Sequence, residues 1–165
     1  MYRTHKLDRR DSYLVNGAKW LAAANLQPQK VFEKWQVGQL AGIETGYLFN
    51  VVRVTNERVG LVALRDLQQA DVHVGPVLHD RARARLEFLV TTRAAGQWQI
   101  SDTELLSRQN DGLTPTTVAM PAPGLRTFAG KGWIVLPDGV RGPTDPGELA
   151  VALRRARERL RLLES

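Results

Sequence analysis

GYLFNVVRVTNERVGLVAL, residues 46–64, decides how the rest of the chain is read. Its first half is dense in aromatic and β-branched side chains, which predicts a strand over 47–55. Its second half runs into ERVGLVALRDLQQ, 57–69. There Val59, Val62, Ala63 and Leu67 fall at helical spacing, so a helix is expected despite Gly60. Asn50 and Arg53 stand among the valines of the strand, and their presence has to be explained.

Upstream, DSYLVNGAKWLAAAN (11–25) spaces apolar residues three and four apart and predicts a first helix. Pro28 opens a second short helix, PQKVFEKWQ, and Gly38, Gly42 and Gly46 then suggest a loop. Downstream, 72–79 and 85–91 are expected to form a hairpin turning at 80–84. Pro76 makes its first arm an edge strand or a bulged one. Leu86, Phe88 and Val90 alternate with Arg85, Glu87 and Leu89, as in a strand with one buried face. Ser101-Asp-Thr-Glu104 has the capping-box pattern and predicts a short helix to about Arg108. Residues 110–127 read as a long loop with one extended piece at 116–120, and KGWIVLP (131–137) as a strand. Asp145-Pro146-Gly-Glu148 supplies a cap, a first-turn proline and an acid for a helix to about Leu163. This order predicts an α/β or α+β fold: a mixed, mainly antiparallel sheet flanked by helices. At 165 residues the chain is expected to be one domain, 1–165. Its helices lie at 11–36, its sheet core at 46–137 and its long C-terminal helix at 146–163.

The absence of cysteine removes thiolate catalysis, disulfides and Cys-bound zinc. No apolar run is long enough to span a bilayer, and Asp8, Asp11, Asn16 and Lys19 interrupt any signal-peptide core, so a cytoplasmic protein with no membrane partner is expected. The net charge of +6 raises the possibility of a nucleic-acid partner. The excess, however, sits at the ends. Residues 1–35 carry seven basic and three acidic side chains, residues 141–165 six and four, and the middle ten of each.

His73 and His79, six residues apart, would share one side of an extended chain, with Asp71 and Asp80 close in sequence. That set is too sparse for a recognisable metal pattern, so no metal site or cofactor is assigned. An enzyme with an unrecognised site around His73, His79 and Asp80 stays as an alternative. There is no Gly-x-Ser-x-Gly elbow and no phosphate-binding glycine loop. Lys131, between the glycines of AGKGW, could approach a phosphate or could simply follow a turn. Arg81, Arg83 and Arg85 recur at every second position. In an extended chain they could track a phosphodiester backbone, or they could keep an edge strand soluble. No aromatic residue is interleaved with them. Leu149, Leu153, Ala156, Leu160 and Leu163 form a stripe on the last helix. It could pack on the chain's own sheet or pair with a second copy, and the arginines opposite could meet an acidic protein partner.

Several stretches together resemble the N-terminal domain of bacterial bifunctional DNA primase/polymerases: ETGYLFNVVRV (44–54), VGPVL (74–78), LEFLV (86–90) and GKGWIVLPDG (130–139). The resemblance spans roughly 36–145 and implies a primase-polymerase-like fold. The family's strand acids fall on Asn50 and Arg53 here, and its hairpin histidine has no match, since Glu87 and Phe88 occupy that arm. Nucleotidyl transfer needs carboxylates to hold two divalent metals, and an amide and a guanidinium cannot replace them. The resemblance therefore implies a non-catalytic member with a degenerate active site. It would act as a binding or regulatory protein, with Arg53, Arg81, Arg83, Arg85 and Lys131 as candidate nucleic-acid contacts. The alternative is an assembly module that dimerises through the C-terminal helix.

Overall fold

A computed structural model describes residues 9–93, 97–108, 112–124 and 126–165. Four helices and seven strands are present among these residues. The helices are α1 (Arg9–Ala22), α2 (Pro28–Gln36), α3 (Glu57–Gln69) and α4 (Pro146–Glu164). The strands are β1 (Ala41–Glu44), β2 (Asn50–Val54), β3 (Val77–Asp80), β4 (Arg85–Val90), β5 (Thr103–Leu106), β6 (Thr117–Met120) and β7 (Lys131–Val135). The fold is α+β. Five strands form an antiparallel sheet in the order β5-β2-β4-β3-β7, and β1 and β6 form a separate antiparallel ribbon. β2 and β3 run in the same direction, joined by α3, with β4 inserted between them.

Each face of the main sheet has its own apolar layer. On one face, Val52 and Val54 of β2 and Leu86, Phe88 and Val90 of β4 meet the inner sides of α3 and α4. Gly60 lets α3 approach closely: a Cβ there would lie 3.3 Å from Leu86 Cβ. On the other face, Val51, Leu78, Leu89 and Leu106 pack under α1, α2 and the ribbon, with Leu21, Ile43, Phe49 and Met120 at the centre. The one-sided burial expected of β4 is therefore incorrect. Both sets of alternating side chains are covered, and even Glu87 has no exposure.

The two helix starts at 57 and 146 have local causes. Asn56 Oδ1 accepts from the Val59 amide at 3.2 Å, and Asp145 Oδ2 accepts from Glu148 N at 3.0 Å. Two expectations fail and a third holds only in its bulged form, each for a tertiary reason. Ser101–Glu104 does not start a helix. Asp102 adopts φ +58°, and Thr103–Leu106 extend to pair with the otherwise open edge of β2. That pairing satisfies a row of backbone groups and places Leu106 in a core, which outweighs one local cap. The glycine-rich stretch after α2 contains β1, because β6 supplies it with a partner, Ala41 opposite Met120 through Glu44 opposite Thr117. β3 is an interior strand between β4 and β7, not an edge. Pro76 precedes it, and the proline's disturbance survives as a register shift between Val77 and Leu78.

Candidate nucleic-acid interface

The pleat of β2, β4 and β3 turns Arg53, Glu87 and Asp80 to the ribbon side of the sheet, where most neighbours are apolar. Arg53 stands opposite Glu87 on one side and Glu104 on the other. Its guanidinium donates to Glu87 Oε2 from Nε at 3.1 Å and from Nη2 at 3.0 Å, and reaches Glu104 at 3.5 Å. Lys131 Nζ donates to the other Glu87 oxygen at 2.7 Å and to the Ala119 carbonyl of β6 at 2.8 Å. A row of alternating charge thus crosses four strands and ties the ribbon to the sheet. Glu87 and Lys131 are both buried, so their attraction acts in a low dielectric, and each needs the other to offset its lost hydration.

Asp80, also fully buried, organises the β3–β4 connection. Its Oδ1 accepts from the Arg83 amide at 3.2 Å, and its Oδ2 receives Arg83 Nη1 at 3.3 Å and Arg85 Nε at 3.2 Å. The arginines do not form an extended row. Residues 81–83 make a 3₁₀ turn that closes at Ala84, φ +51°. Arg83 and Arg85 converge on one carboxylate, leaving one positive charge in surplus. Arg81 and Arg83 are exposed at the tip.

A second turn supports this tip. Phe128 and Lys131 exchange backbone hydrogen bonds at 2.8 and 2.9 Å, with Ala129 and Gly130 at positive φ between them. Gly130 O accepts from Arg81 N at 2.8 Å, and a Cβ on Gly130 would sit 2.5 Å from that of Ala82. Only glycine allows the two turns to touch. The contact sets the turn that carries Phe128, 42% exposed, against the arginine tip, with Arg126 two residues before it in sequence. Phe128 lies far from the tip along the chain, so no spacing rule could have joined them.

No family model, curated protein or solved structure matches this chain. The assignment of the site therefore rests on its own geometry. Of the five candidate contacts, Arg81 and Arg83 face outward. Arg53 and Arg85 are mostly covered and held by carboxylates, and Lys131 is buried between Glu87 and Ala119. AGKGW is the turn that seats the tip, with Lys131 turned inward from it.

Asn50 and Arg53, three apart on an unbroken strand, look into opposite layers. Carboxylates at those two positions would point into opposite layers and could not share one metal ion. Asn50 is buried at 2% exposure, and its Oδ1 has no partner among the described residues. The histidines do not converge with Asp80 either. His79 Nε2 meets Glu57 Oε2 of α3 at 2.9 Å on the other face, and His73 Nε2 meets the Gly142 carbonyl at 2.7 Å. Among the described residues no group of three or more His, Asp or Glu could hold a metal ion. Among the described residues no helix is long and apolar enough to cross a membrane.

On α4 the stripe is mostly core. Leu149, Leu153, Ala156 and Leu160 are buried against β2, β4 and α3, and only Leu163 is exposed. Four of the five candidate partner residues are therefore already covered by the chain's own fold.

Proposed function

We propose that this protein is a non-catalytic, cytoplasmic nucleic-acid-binding or regulatory module, and that the β3–β4 tip is its phosphate-contacting surface. The observation that carries the reading is the exposed Arg81 and Arg83 on a turn held rigid by buried Asp80 and by Gly130. Guanidiniums on such a turn suit phosphate, because each presents a planar fork of donors that loses little freedom per hydrogen bond formed. Descent from a primase-polymerase domain is part of this proposal only as far as the order of the resembling segments supports it. Dimerisation through α4 has less support, since that stripe is largely occupied.

The test is binding of a labelled oligonucleotide by fluorescence anisotropy, from about 50 to about 200 mM salt. Affinity should fall with salt with a log–log slope of about 2, and Arg81→Ser should lower that slope by about one. A flat salt response, or an unchanged slope in the variant, would remove the tip from the interface.

A further inference from the structure

We infer that the tip takes single-stranded nucleic acid, with Phe128 as the residue on which an unpaired base stacks. The inference rests on the nucleic-acid reading above and adds a substrate class and a specificity-determining residue to it. Three observations on Phe128 converge. Its ring is 42% exposed and belongs to neither apolar layer. Among the described residues it forms no ring–ring contact, whereas Trp20 stacks on Phe49 and Phe32 meets Trp35 edge-on. Its backbone is nonetheless fixed, paired with Lys131 in a turn whose Gly130 bonds the Arg81 amide.

A single exposed aromatic side chain needs no explanation by itself. One carried on a turn that touches the turn bearing exposed cations offers the two elements that unpaired strands require: positive charge for the phosphates and a flat apolar face for a base. The faces of a duplex's bases are hidden in its stack, so a duplex could use the arginines but not the ring. Arg81 and Arg83 therefore account for affinity towards either form, and Phe128 for the preference between them. DNA and RNA strands share the chemistry used here.

The experiment compares the wild-type chain with Phe128→Ala and Phe128→Trp on four ligands at low salt: a deoxyribo strand, a ribo strand, a duplex and an abasic strand. Phe128→Ala should weaken binding to the first two by about 5- to 100-fold and leave the duplex and the abasic strand unchanged. Phe128→Trp should restore the loss. The side chain is exposed, so a thermal melt should show both variants folded as the wild type. An equal loss on every ligand, or no loss on the base-bearing strands, would overturn the stacking role while leaving the arginine tip standing. Failure of the wild type to bind any of the four would overturn both.

Discussion

Glu87 shows how a single side chain anchors a buried charge network, whose Lys131 reaches on to Ala119 of the ribbon. It sits at the centre of the main sheet with no exposure, Lys131 on one oxygen and Arg53 on the other. Removing the carboxylate would strand a buried ammonium, and breaking such a pair costs about 3 to 5 kcal/mol. Glu87→Ala should lose that much in urea denaturation, and a Glu87→Ala/Lys131→Met double variant should recover part of it, because the stranded charge is gone. Asp138 behaves differently. Burial alone would push its carboxyl up. The amides of Val140 and Arg141, with the Arg141 guanidinium, outweigh that and hold it below the usual aspartate value. A folded-state value below the unfolded one stabilises above the unfolded value, and this stability fades as pH falls through the folded value. Asp138→Asn should therefore flatten the acid limb of a stability–pH profile and leave its near-neutral slope unchanged. Neither role was legible in the sequence. Glu87 looked like the polar half of a two-sided strand, and only the ribbon above it makes that half an interior.

Among the elements, α4 and β5 show opposite lessons. The cap, proline and stripe of α4 all point to a helix, which starts where they predict, and of the two packings left open for the stripe the structure shows the chain's own core. Local and tertiary preferences agree there. A chain ending at Thr144 should lose its cooperative thermal transition, because Leu149, Leu153, Ala156 and Leu160 leave the layer over β2 and β4 uncovered without them. Circular dichroism melts check this, and a retained transition in the truncated chain would show that the stripe is dispensable to the core. In β5 the two levels conflict. Ser101-x-x-Glu104 has a helix-start pattern, but the open edge of β2 recruits the segment, and Thr55 N and Oγ1 both donate to Asp102 O, at 2.9 and 3.0 Å. A sheet edge offers several hydrogen bonds at once, so a single cap cannot hold the segment back.

Across the whole molecule, the charge surplus is less informative than its placement. Much of the arginine content is paired: Arg53 and Arg85 with buried carboxylates, and Arg157 and Arg159 with Asp102 and Asp66. What distinguishes the β3–β4 tip is a pair of exposed arginines on a turn that meets the turn carrying exposed Phe128, and that arrangement exists only once two distant turns touch. The sequence by itself determined the fold class, the four helices, the hairpin and the strand at 131, because these depend on periodicity, caps and β-branched content within short windows. Only the tertiary structure decided that β1 and β5 are strands and that both faces of the sheet are buried. It also decided that Asn50 and Arg53 look into opposite layers and that the turn of Phe128 meets the turn of the arginines. The physical reason is that strand pairing, burial and contact between turns are settled by partners distant along the chain, and those partners leave no local pattern to read.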